Sequence, residues 1–103
     1  MSQYALNTRF SAHPDKGDEL LSLLMKANNI VSAAKGCRLY LISHEAEDKD
    51  VFWVNELWDT REDHAISLAL DGSKELMVEA AHILAHEPKQ VVLTPVGGKG
   101  AEG

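Results

Sequence analysis

At 103 residues, 45% hydrophobic and 25% charged, the chain has the size and composition of one soluble globular domain with a modest core. Its formal charge of −6, without any Lys/Arg cluster, argues against nucleic acid and anionic membranes as partners. No apolar run approaches the roughly 20 residues of a membrane span, and the one cysteine, Cys37, can form neither an internal disulfide nor a cysteine zinc site.

The start, MSQYALNTRF, lacks the basic end and apolar stretch of a signal peptide, so a cytoplasmic location is expected. Tyr4 to Ala12 mixes β-forming and polar residues as a first strand would. His13-Pro-Asp-Lys-Gly17 then breaks it. From Asp18 to Ala34 the apolar residues Leu20, Leu21, Leu23, Leu24, Ala27, Ile30, Val31 and Ala34 make one broad helical face, and Gly36 follows as a helix end prefers. Cys37 to Glu45 reads as a second strand. A charged turn, Ala46 to Asp50, joins it in a hairpin to Val51–Trp58.

Asp59-Thr60-Arg61-Glu62-Asp63 opens a helical region, with Thr60 and Asp63 spaced as a loose reciprocal cap. Asp71-Gly72-Ser73 divides that region. A second helical stretch follows from about Lys74 to Ala85, its apolar face formed by Leu76, Met77, Ala80, Ile83 and Leu84. Glu87-Pro88 stops it, and Lys89 to Thr94 is a last strand. The folded domain is expected over residues 1–95. The segment 96–103, ending in the small-residue run from Gly97, is a tail expected to be flexible.

The order β-α-β-β-α-β predicts a ferredoxin-like α+β sandwich, with helices on one face of the sheet. The strand VFWVNELW tests that layout. Phe52, Val54, Glu56 and Trp58 fall on one side, and Val51, Trp53, Asn55 and Leu57 on the other, so both sides are largely apolar. A monomer rarely exposes such a patch, and a second subunit laid sheet against sheet is the simplest cover. One tryptophan should meet the helices and the other the partner sheet. Glu56 shares the Trp58 side and needs a hydrogen-bonding partner there, with Arg9, Arg38 and an indole N–H as candidates by type.

Few residues suggest chemistry on their own. GGKG near the end lacks the remainder of a phosphate loop, and no cofactor fingerprint occurs. His82 and His86 have a helical metal-binding spacing but no third ligand in register. His13 and His44 are expected to be solvated. His64, in the first turns after Trp58, could look into a pocket between helix and sheet.

Lys35-Gly36-Cys37-Arg38-Leu39-Tyr40, followed by Phe52-Trp53-Val54-Asn55-Glu56-Leu57-Trp58-Asp59-Thr60-Arg61-Glu62, resembles the antibiotic biosynthesis monooxygenase family over about Tyr4 to Thr94. The resemblance implies a dimeric α+β barrel. It implies oxidation of a small anthrone- or quinol-like aromatic with O₂ and no cofactor. It carries a first-strand asparagine and a tryptophan of the site onto Asn7 and Trp58. His64 is the candidate proton acceptor, and Glu56, Ser67 and Met77 are candidate pocket residues. Relatives often have a histidine where this chain has Ser67, and Ser-Pro-His-Phe where it has Leu70-Asp71-Gly72-Ser73. Met77 stands where haem-degrading relatives place their iron ligand, which argues against haem. A non-redox dimeric binding protein or an isomerase on the same fold is the alternative.

Overall fold

The computed structural model describes residues 2–101; Met1, Glu102 and Gly103 lie outside the described residues, and with them the last two positions of the expected tail. The elements run β1 (Tyr4–Ser11), α1 (Gly17–Val31), β2 (Cys37–Glu45), β3 (Asp48–Trp58), α2 (Arg61–Ser67), α3 (Ser73–Ile83) and β4 (Lys89–Leu93). The strands form one sheet in the order β2-β3-β1-β4, every neighbouring pair antiparallel. This is the ferredoxin-like α+β arrangement that the order of elements predicts. Among the described residues no helix is long and apolar enough to cross a membrane.

Register decides which side chains share a face. β1 pairs with β3 so that Leu6 meets Glu56, Thr8 meets Val54 and Phe10 meets Phe52. Those residues point to the helices. Leu20 and Leu24 of α1 pack with Ala12, Phe52 and Val54, and Tyr40, Ile42, Ile83 and Leu84 close around them. Burying each such aliphatic side chain contributes about 1.5–3 kcal/mol. The end of α3 is tied to the end of β1 by hydrogen bonds from His13 N to Ile83 O and from Ala85 N to Ser11 O, both 2.8 Å.

Several boundaries differ from expectation for local reasons. The hairpin turn is only Ala46–Glu47, because pairing continues to Glu45 and Asp48 and lengthens β3. α1 ends at Val31 rather than Ala34, and the chain leaves it through Gly36 at φ 82°. A Cβ there would also collide with the Asp63 carboxylate. Thr60 caps α2, its hydroxyl accepting from Asp63 N at 3.0 Å. The expected return leg is missing, because the Asp63 carboxylate lies against Gly36. Gly72, left-handed at φ 91°, separates α2 from α3 as the Asp-Gly-Ser interruption predicts. α3 itself has no buried residue.

α1 begins without a cap of its own: Lys16 precedes it and makes no side-chain capping bond. Asp50 of β3 does that work from across the fold. Its carboxylate accepts from Gly17 N at 2.8 Å and from Asp15 N at 3.1 Å.

Candidate active site

Alternation along β3 puts Glu56 and Trp58 on one face, opposite Leu6 and Tyr4 of β1. Tyr40 of β2 pairs with Glu56 from the other side. The short link to the Thr60 cap then brings His64 of α2 directly over this end of the sheet. Its ring lies 5.5 Å from the Trp58 ring, edge to face at 67°, and 5.5 Å from Tyr4. Trp58 is fully buried. Its indole N–H donates to Glu56 Oε1 at 3.0 Å, and His64 Nε2 stands 3.9 Å from the same oxygen. That separation is too long for a hydrogen bond. The side chains of His64 and Glu56 are only 13% and 10% exposed, so the cluster is nearly dry.

Dryness sets the protonation. Burial pushes the Glu56 carboxyl above its ordinary range, and the indole hydrogen bond offsets only part of this. Burial pushes His64 below the ordinary imidazole value. The imidazole is therefore neutral at pH 7 and keeps a nitrogen lone pair able to take a proton. Tyr40 is raised, first by burial and then by the Glu56 charge, so its phenol stays protonated. Cys37 is raised by the same two causes in the same order, which leaves its thiol a poor nucleophile. The cluster thus joins one neutral base, one reluctant carboxylate and an aromatic wall.

Glu56, Trp58 and His64 come together, and the partner of Glu56 is the Trp58 indole. Arg9 instead contacts Glu45 at 3.3 Å, and Arg38 makes a two-pronged contact with Asp59 at 2.6 and 3.0 Å. Asn7 does not join them. It lies on the opposite face of β1, where its side-chain oxygen accepts from Asn55 Nδ2 at 2.7 Å. Strand parity sets Asn7 apart from Trp58: Leu6 and Thr8, not Asn7, share the face of the sheet that carries Trp58. The signal was present in ALNTRFSA, whose bulky apolar residues Leu6 and Phe10 are both even-numbered.

Ser67 is buried at the end of α2, its hydroxyl donating to the carbonyl of His64 at 2.6 Å. It also lines a groove of about 490 Å³ between the end of α1 and α2, with Ile30, Ala34, Asp63, Ile66 and Leu70. Met77 is 56% exposed on α3, so its placement as a pocket wall is not supported by burial. His13 and His44 are exposed. His82 and His86 do not share a helical face, because α3 ends at Ile83 and Leu84 is already extended. Tyr4 and Tyr40 were missed by sequence reading. Tyr4 has the parity of Leu6, whereas Tyr40 becomes visible only once the hairpin register is known.

The family profile of antibiotic biosynthesis monooxygenases matches residues 3–78. A search of curated proteins found no match. Among solved structures, a protein from Chloroflexus aurantiacus J-10-fl, provisionally named an antibiotic biosynthesis monooxygenase, is 28% identical with a TM-score of 0.82; the match covers 94% of this chain and 96% of that one. Rv0793 from Mycobacterium tuberculosis is 21% identical with a TM-score of 0.87, covering 95% and 99%. A Nitrosomonas europaea protein, also provisionally named an antibiotic biosynthesis monooxygenase, is 19% identical with a TM-score of 0.87, covering 91% and 90%.

Proposed function

The chain belongs to the antibiotic biosynthesis monooxygenase family, and from that premise we propose that it is a cofactor-independent monooxygenase of small aromatic molecules of the anthrone or quinol kind. The observation that carries the reading is the dry Glu56–Trp58–His64 cluster, a neutral base set in an aromatic wall.

Such substrates need little help beyond deprotonation. An anthrone gives a proton from its ring methylene to His64 and becomes an electron-rich enolate. The enolate passes one electron to O₂, and the resulting radical and superoxide combine to form a C–O bond. The peroxide takes the proton back from His64. Loss of the remaining C–H proton as the O–O bond breaks leaves a carbonyl and water, so one oxygen atom enters the product and the other leaves as water. The protein contributes a fixed base, Tyr4 as a wall for the ring with the buried Trp58 behind His64, and exclusion of bulk water from the anion.

The second copy expected on the open side of the sheet belongs to the same reading. Leu39, Leu41, Val91 and Leu93 stand there 44%, 51%, 54% and 43% exposed, a contiguous apolar surface that a homodimer would cover. The test is O₂ consumption and product mass with a panel of anthrones and hydroquinones under metal-free conditions. Turnover that falls in His64→Gln and Trp58→Phe supports the assignment. Absence of turnover, or turnover unchanged in both variants, overturns it.

A further inference from the structure

The open face of the sheet is not uniformly apolar. At its centre, on the two inner strands, Asn7 and Asn55 form a cross-strand pair through one hydrogen bond of 2.7 Å. Each carboxamide has a carbonyl and an NH₂ group, and one bond between them uses only one end of each. The dyad therefore presents the NH₂ of Asn7 and the carbonyl of Asn55 outward, with no other protein partner for either among the described residues. Exchanging the oxygen and nitrogen assignments of both residues leaves the same surplus, one donor end and one acceptor end.

A surface with one spare donor and one spare acceptor is complementary to itself. Turned through a two-fold axis, a second copy sets its donor over the first copy's acceptor and receives the reverse. Charge favours the same occupant. The chain carries −6 and repels its own copies, yet Glu45, which brings a carboxylate to this face, is neutralised by Arg9, and Lys89 stands beside Arg9 on β4. The face escapes the acidity of the rest of the molecule.

We infer that the Asn7–Asn55 dyad is the polar interlock of a homodimer, hydrogen-bonded to the same dyad of a second copy and fixing the register in which the two sheets meet. The inference rests on the sheet-to-sheet pairing proposed above. Its energetic signature is non-additivity. Removing one amide strands its partners in an apolar interface, whereas removing both leaves nothing to satisfy.

Sedimentation equilibrium on the full chain provides the test, comparing wild type with Asn7→Leu, Asn55→Leu and the double variant, each checked by far-UV circular dichroism. The expected result is a dimer whose Kd rises about 10-fold or more in each single variant and returns to near the wild-type value, or below it, in the double variant. A wild-type chain that stays monomeric at millimolar concentration overturns the pairing itself, and the interlock with it. A wild-type dimer that the single variants leave unchanged or tighten overturns the interlock alone. Alanine at both positions gives the same comparison if leucine disturbs the sheet.

Discussion

Each face of the sheet carries a tryptophan whose indole N–H donates to a glutamate, and the two pairs differ in almost everything else. On the helix side Trp58 donates to Glu56 at 3.0 Å; on the open side Trp53 donates to Glu45 at 2.9 Å. The same hydrogen bond accompanies opposite shifts. Glu56 is raised because burial outweighs the indole, whereas Glu45 is lowered because the indole and then Arg9 outweigh a small loss of hydration. One contact motif becomes a desolvated carboxyl on one face and a solvated ion pair on the other. Distance to the donor does not separate them; access to water and to a cation does.

The sharpest way to break the comparison is to truncate both indoles. Trp58→Ala empties a fully buried site and should cost about 3–5 kcal/mol in urea unfolding at every protein concentration, abolishing turnover with it. Trp53→Ala should cost about 1 kcal/mol in dilute protein, and the proposed pairing of its face with a second copy adds a further loss that depends on concentration. Equal, concentration-independent losses would mean that the two faces are alike.

A smaller effect probes the base. His64→Gln should lower kcat by about 100-fold or more while leaving the fold intact by circular dichroism. In the wild type the acid limb of kcat/KM should fall below pH 6.5, the ordinary imidazole value, because burial depresses this histidine. A limb at or above that pH assigns proton transfer to another group.

The smallest effects have opposite signs. A carboxyl raised in the folded state loses its stabilising contribution as pH climbs through the folded value. Glu56→Gln should therefore gain Tm over wild type at pH 8 and little at pH 4. Glu45 is lowered, so its contribution is present above the ordinary value of 4.5 and is lost as pH falls through the lower folded value. Glu45→Gln should lose Tm slightly at pH 7 and converge on wild type near pH 3. Differential scanning calorimetry across that range checks both, and shifts of the same sign would refute the contrast.

The fold was largely legible because its strongest signals are local. VFWVNELW, a long apolar run, marked an inner strand of the sheet, paired with both β1 and β2, and Asp71-Gly72-Ser73 marked the break between α2 and α3 through a residue that takes φ 91°. The site was half legible. Glu56, Trp58 and His64 follow from parity and a helix cap within nine residues of chain. Asn7 enters through a family correspondence, whereas the alternation of its own strand sets it on the open face beside Asn55. Tyr40 depends on a hairpin register that the charged turn left open by several residues, since pairing to Asp48 is decided by the partner strand. Met77 shares an apolar stripe with Leu76, Ala80 and Ile83, yet those three are half-buried while Met77 and its neighbour Val78 are more than half exposed.

Asp50 has a consequence for the order in which the molecule assembles. The start of α1 is held by a carboxylate 33 and 35 residues further along the chain, and a Cβ at Gly17 would collide with the Lys49 carbonyl beside it. Until β3 is in place, the first turn of α1 lacks the Asp50 carboxylate, its free amides turn to water, and it frays. It settles only when the β2–β3 hairpin, a local and quickly closed unit, delivers residue 50. The Gly17 amide thus reports on the hairpin rather than on its own helix, and its hydrogen exchange should keep time with β3.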